Sequence, residues 1–150
     1  MNVSDIMTDD PVTVAKEATL HDALQAMADV ACHHLPVLSL HGHMVGIISD
    51  HDCRRALNWP YLWHERWQDD ALAKRLTVGA VMTPAPIIIE PDALASEAAR
   101  MMLYHNVRCL PVMRAETLIG IITTSDILMA FINESKRAEI ESHDAHSSHL

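Results

Sequence analysis

Glycine, aromatic residues and positive charge are all scarce in this chain. Four glycines in 150 residues make no Gly-rich phosphate loop, and neither a nucleophile elbow nor an HExxH pair is present, so the motifs that mark common hydrolytic and transfer chemistries are missing. No apolar run approaches the roughly 20 residues of a membrane span, and no basic segment followed by an apolar one opens the sequence, which makes the cytoplasm the expected location. The three cysteines, Cys32, Cys53 and Cys109, are odd in number, unclustered and set in apolar stretches. That arrangement excludes a disulfide framework and predicts buried, reduced thiols.

Eleven Lys and Arg stand against twenty Asp and Glu, a net charge of −9. Residues 1–53 hold eight acids and the single base Lys16, whereas residues 54–77 hold five bases and three acids. Affinity for duplex nucleic acid comes mainly from clustered Lys and Arg, so that partner is excluded. A small anionic ligand, which needs only a few well-placed cations, is not. With 49% hydrophobic and 21% charged residues, the composition is that of a globular chain of one domain, or two small ones sharing a core.

What the sequence has in quantity is repetition. Gly46-Ile47-Ile48-Ser49-Asp50-His51-Asp52 returns 74 residues later as Gly120-Ile121-Ile122-Thr123-Thr124-Ser125-Asp126. Val3 to Thr8 returns as Val78 to Thr83, and Leu35-Pro36-Val37 as Leu110-Pro111-Val112, both at an offset of 75. An offset constant to one residue means two copies of one structural unit. A unit of about 55 residues would have a marginal core alone, so the copies are expected to pack on each other.

Within the first copy, Val12–Val14 reads as a short strand, and Thr19 precedes apolar residues at helical spacing: Leu20, Ala23, Leu24, Met27 and Ala31. Leu35–Leu40 and Met44–Ser49 read as strands joined by a turn at His41-Gly42-His43, with a second helix from about Asp50. The second copy predicts a strand at Ile87–Ile89, a helix over Asp92–His105, strands at Cys109–Arg114 and Leu118–Thr123, and a helix from about Ser125 to about Ile140. The polar tail from His143 to Leu150 is expected to be disordered. Between the copies, Trp59, Trp63 and Trp67 recur at i, i+4 and i+8, with Pro60 suited to a first helical turn. This aromatic stripe covers either the chain's own core or a subunit interface.

Three motifs, each present twice and in register, carry a family resemblance: a leading h-x-x-h-M-T, a central L-P-V and a closing G-I-I-[ST]-x-x-D. Together they resemble the cystathionine-β-synthase (CBS) domain, whose tandem pair is called a Bateman module. The resemblance implies an α+β fold of two β-α-β-β-α repeats packed around a pseudo-two-fold axis. Residues 1–57 would be the first repeat, 58–76 a linker helix, 77–135 the second repeat and 136–150 an extension. It also implies two related clefts that bind adenosine compounds, most often AMP, ADP or ATP, and in other members S-adenosylmethionine, NAD or cyclic dinucleotides.

Matched position by position, the closing motif implies that Asp126 receives ribose hydroxyls and Thr123, with Thr124 beside it, a hydroxyl or phosphate oxygen. Asp52 and Ser49 take the same roles in the other cleft. The chemistry fits: a carboxylate offers two acceptors to vicinal hydroxyls, and a Ser or Thr hydroxyl can donate to an anion near a helix start. The same [ST]-x-x-D pattern is also a capping box, which satisfies free N–H groups with no ligand at all, and the sequence leaves both readings open. The resemblance places adenine against Thr8, Pro11 and Val12 with Pro36 and Val37, or against Thr83, Pro86 and Ile87 with Pro111 and Val112. Phosphate would meet His33 and His34 in the first copy and Arg108 in the second, with Arg54 and Arg55 close by. The acidic first copy favours AMP or ADP over a triphosphate, and points first to the cleft of Asp126.

Eleven histidines raise the question of metal. His33 and His34 are adjacent, His41 and His43 flank a turn, and His143, His146 and His149 are spread along the tail, so no four ligands converge as structural zinc requires. No metal site and no catalytic residue are expected. The reading is a regulatory, non-enzymatic module with an adenine nucleotide as its ligand, forming a homodimer and acting through a partner protein. Two rivals are a constitutive dimerisation module without ligand and a histidine-dependent metal sensor.

Overall fold

A computed structural model of the chain describes residues 1–57 and 71–148. The stripe of Trp59, Trp63 and Trp67, with Pro60, lies outside the described residues. In chain order the elements are α1 (Val3–Ile6), β1 (Thr8–Asp9), β2 (Val14–Ala15), α2 (Leu20–Val30), β3 (His34–Leu38), β4 (Met44–Ser49) and α3 (Asp50–Leu57). They continue with α4 (Val78–Val81), β5 (Thr83–Pro84), α5 (Ala95–His105), β6 (Cys109–Arg114), β7 (Thr117–Thr123) and α6 (Thr124–Ser147). This is the expected α+β class.

Local chemistry explains the two long inner helices. Thr19 opens α2 with a capping box, its hydroxyl accepting from Asp22 N at 3.2 Å and the Asp22 carboxylate accepting from Thr19 N at 3.2 Å. Leu20, Ala23 and Met27 then fall on one buried face. Both helices end on a left-handed residue, Ala31 (φ 52°) and Asn106 (φ 54°), which turns the chain into the L-P-V strand.

Two sheets result, with strand orders β2-β3-β4-β5 and β1-β7-β6. The edge strands are exchanged. β1, which opens the first copy, pairs antiparallel with β7 of the second (Thr8 opposite Ile121), and β5, which opens the second copy, pairs with β4 of the first (Thr83 opposite Ile47). The short helices go with them: Val3 N donates to Ala93 O at 2.8 Å, and Val78 N to Ala18 O at 2.7 Å. Val78 thus belongs to the core of Leu20, Leu35, Val37 and Ile48, while Val3 belongs to that of Leu110, Val112 and Ile122. Each of these side chains is fully buried and contributes about 1.5–3 kcal/mol by its removal from water. Each core is therefore completed by the other copy's leading segment.

Gly46 and Gly120 show why the motifs recur as a set. An ideal Cβ on Gly46 would lie 2.5 Å from Met82 Sδ and 2.9 Å from the Thr83 carbonyl oxygen; on Gly120 it would lie 2.5 Å from Met7 Sδ and 2.9 Å from the Thr8 carbonyl oxygen. The glycine of each G-I-I makes room for the Met-Thr of the opposite copy.

Three expectations change. Ile87–Ile89 forms only a single parallel bridge, Ile89 to Val112, because Ile89 alone exchanges hydrogen bonds with β6, at Pro111 O (3.0 Å) and Met113 N (2.9 Å). The tail from His143 to Ser147 is helical, not disordered, as the end of α6; His149 and Leu150 lie outside the described residues. No glycine or proline follows Gly120 to stop α6, and Ser142, Ser147 and Ser148 hydroxyls donate to the carbonyls of Glu139, His143 and Asp144. Cys53 and Cys109 are buried as expected, but Cys32 is only half-buried.

Candidate functional site

Both closing motifs fold as capping boxes at a strand-to-helix junction. At β4–α3, Ser49 N donates to Asp52 Oδ2 (3.0 Å) and Asp52 N to Ser49 Oγ (3.0 Å). At β7–α6, Thr123 N donates to Asp126 Oδ2 (2.8 Å), and Thr123 Oγ1 donates to the same oxygen at 3.1 Å. Capping occupies Oδ2 of each carboxylate; no described group hydrogen-bonds to Oδ1 of either Asp52 or Asp126. Both residues are half-buried, so neither is sealed from solvent. Capping and a ligand contact are compatible, since they use different oxygens of one carboxylate.

The exchange of leading segments sets which strands neighbour each junction. Thr8, exposed on β1, sits beside β7 and so belongs with Thr123 and Asp126; Thr83, exposed on β5, sits beside β4 and belongs with Ser49 and Asp52. Pro11 is half-buried and Val12 exposed where the chain passes from one sheet to the other; Pro86 and Ile87 are half-buried after β5. Pro36, Val37, Pro111 and Val112 are fully buried, with Val37 and Val112 in the two cores. None of these four offers surface to a ligand in this structure.

The polar flanks of the two junctions differ. In the second, Thr124 N and Thr124 Oγ1 donate to the carbonyl of Arg108 at 3.0 and 3.3 Å. This ties the start of α6 to the start of β6, and the exposed Arg108 guanidinium has no ion-pair partner among the described residues. In the first, Asp50 N makes the equivalent bond to the carbonyl of His33 (3.0 Å). There the side chains pair as well: His33 Nδ1 lies 3.0 Å from Asp50 Oδ2, and Arg54 follows at 3.6 Å. Arg55 is exposed on α3. From sequence, Asp50 reads only as a helix start. Its signal is the contrast with Thr124 at the matching position.

Titration behaviour follows from this packing. Partial burial pushes the Asp50 carboxyl up, but the hydrogen bond and charge of His33, a backbone bond at His51 and the charge of Arg54 outweigh it and hold the group below the usual carboxylate range. Burial lowers His34 from its ordinary value; Asp50 and Asp52 work against that, while His33 and Arg108 add to it. His34 is within electrostatic reach of both junctions. Burial, reinforced by Asp52 and Asp50, pushes the Cys53 thiol up to about 11, and burial pushes Cys109 higher still. Both thiols are therefore neutral core groups. Among the described residues no group of three or more His, Cys, Asp or Glu could hold a metal ion, and no helix is long and apolar enough to cross a membrane.

The CBS domain family matches twice, over residues 3–58 and 78–133. The chain belongs to the CBS domain family. This CBS pair is 36% identical over 129 residues to a CBS domain-containing protein of Dictyostelium discoideum, covering 84% of this chain and 88% of that one. Among solved structures it resembles CBSX2 of Arabidopsis thaliana in complex with AMP, at a TM-score of 0.74 and 26% identity, over 89% of this chain and 98% of that one. It also resembles the CBS domain pair of protein MJ0100 in complex with 5′-methylthioadenosine and S-adenosyl-L-methionine, at a TM-score of 0.76 and 25% identity, over 89% and 98% of the two chains. The fold class and the tandem CBS architecture are those expected from the motifs.

Proposed function

We propose that this CBS pair is a regulatory module that binds an adenosine-containing ligand, AMP or ADP foremost, at the Asp126 junction and signals its presence to a partner. The observation that carries this reading is the uncommitted Oδ1 of Asp126, on a helix start that Thr124 ties to the Arg108 carbonyl and that follows the strand paired with Thr8. Vicinal ribose hydroxyls donate to the free carboxylate oxygen, and a guanidinium supplies the planar fork that suits a phosphate. The adenosine ligands of the CBSX2 and MJ0100 structures support the same ligand class.

The exchange of edge strands gives the module a way to report. Thr123 and Asp126 come from one copy and Thr8 from the other, so a ligand held by both bridges the halves. It biases their relative arrangement only if it binds one arrangement more tightly than another. We further infer that the chain pairs as a homodimer through the second repeat, whose Leu103, Tyr104, Leu128, Met129 and Phe131 are exposed. Aromatic and Met residues are enriched at such contacts.

Calorimetric titration with AMP, ADP, ATP, S-adenosylmethionine and NAD, paired with thermal unfolding, tests the ligand. At a hundred times its dissociation constant a ligand adds about 2.7 kcal/mol of stability. Binding is expected for at least one adenosine compound and is expected to be lost in Asp126→Ala, measured well below the melting temperature because losing the cap itself costs about 1 kcal/mol. Full retention of affinity in Asp126→Ala would overturn the assignment.

A further inference from the structure

The two junctions are built on one plan, yet one pair of positions carries different residues in each. Position 33 in the first copy matches 108 in the second, and 50 matches 124. The first pair is His33 and Asp50, joined side chain to side chain at 3.0 Å. The second is Arg108 and Thr124, joined only through the Arg108 carbonyl, which leaves the guanidinium outside that bond. Both pairs sit where the L-P-V strand begins and the closing helix starts, with Asp50 and Thr124 two residues before Asp52 and Asp126 on that helix.

The consequence for a ligand is electrostatic. A 5′-phosphate carries close to two negative charges at neutral pH. At the second junction it meets a guanidinium and a hydroxyl. At the first it meets the Asp50 carboxylate, only 21% exposed, on which His33 and Arg54 already converge at 3.0 and 3.6 Å. To bind phosphate there, His33 and Arg54 would have to leave Asp50, and the uncompensated carboxylate would then face the anion. A ribose carrying no phosphate makes no such demand, and the free oxygen of Asp52 serves it as well as that of Asp126 does.

We propose that the two junctions take different adenosine ligands: the Asp126 junction a 5′-phosphorylated one, and the Asp52 junction one without phosphate, the choice being made by the residue pairs 33/50 and 108/124. This rests on the adenosine-binding reading above and adds to it a distinct specificity for each half. The test is calorimetry on the full chain with AMP and with adenosine as separate probes. The parent is expected to bind one AMP, at least tenfold more weakly in Arg108→Gln and Asp126→Ala and unchanged in Asp52→Ala. Adenosine binding is expected to survive Asp126→Ala in part, and to disappear when Asp52→Ala is added.

The exchange variant His33→Arg with Asp50→Thr, shown to be folded by circular dichroism, is expected to raise AMP stoichiometry from one to two per chain. Two AMP per parent chain, or AMP binding that depends on Asp52, overturns the division of labour while leaving adenosine binding intact. A folded exchange variant that still binds one AMP overturns the role of the 33/50 pair. If neither probe binds the parent, both this inference and the reading beneath it fail. Should the exchange variant not fold, the single substitutions decide the matter.

Discussion

The first repeat shows solvent Ala28, Asp29, Arg54 and Arg55; at the matching positions the second shows Leu103, Tyr104, Leu128 and Met129. Leu103 and Tyr104 are 83% and 86% exposed, and Phe131 is 69% exposed. One backbone plan carries both surfaces, so the fold does not demand apolar residues there. The first repeat serves as an internal control: small and charged side chains suffice to close that helix layer. The apolar set on the second repeat is therefore not required by the plan the two repeats share, whereas the paired glycines and methionines, alike in both copies, answer to the fold.

The shared part should break hardest. Gly46→Ala and Gly120→Ala each place a Cβ 2.9 Å from a backbone oxygen and 2.5 Å from a methionine sulfur, and each is expected to cost about 2 kcal/mol or more in urea unfolding. Adding Met82→Ala to the first or Met7→Ala to the second should recover only a part, since the carbonyl stays. Tolerance of alanine at one glycine but not the other would show that the two locks are not equivalent.

The surfaces come next. Leu128→Arg with Met129→Arg gives the second repeat the first repeat's residues. It is expected to convert a dimer into a monomer in sedimentation velocity while moving monomer stability by no more than about 0.5 kcal/mol. A parent chain that sediments as a monomer would remove the self-pairing explanation of that face.

The smallest effect concerns the first residue of the L-P-V strand, His34 in one repeat and Cys109 in the other. Burial holds His34 below its ordinary value of 6.5, so the unfolded chain takes up a proton in a range where the folded chain resists it. Stability should accordingly fall as pH drops below about 6.5. His34→Cys copies the second repeat and should flatten that decline. An unchanged pH profile would show that His34 is not the group responsible. Asp50, held low, contributes only at more acidic pH, where its stabilising pair is lost as the carboxyl is protonated.

Much of this was legible in the sequence because it is written in local patterns. β4 and β6 fall where apolar runs and turn residues place them, and the capping boxes are visible as [ST]-x-x-D. Other features depend on partners far apart in sequence. Neither α1 nor α4, four residues each, is long enough to show a helical period. Their placement on the opposite copy is a tertiary fact that no window of sequence contains. The His33–Asp50 pair spans 17 positions, and Asp50 alone looks like any acid at a helix start. Beyond Ile140 the polar composition predicts disorder, but with no glycine or proline to break it the helix runs on to Ser147.

The exchanged edges carry one last implication. A half-chain cut between the copies would hold a leading segment with no home of its own and a core with one wall missing, which is the condition of a protomer in a swapped pair. The covalent connection through residues 58–70 turns what would be an encounter between two molecules into one within a single molecule. The completeness of each half is then set by the effective concentration of its sister rather than by how much protein is present.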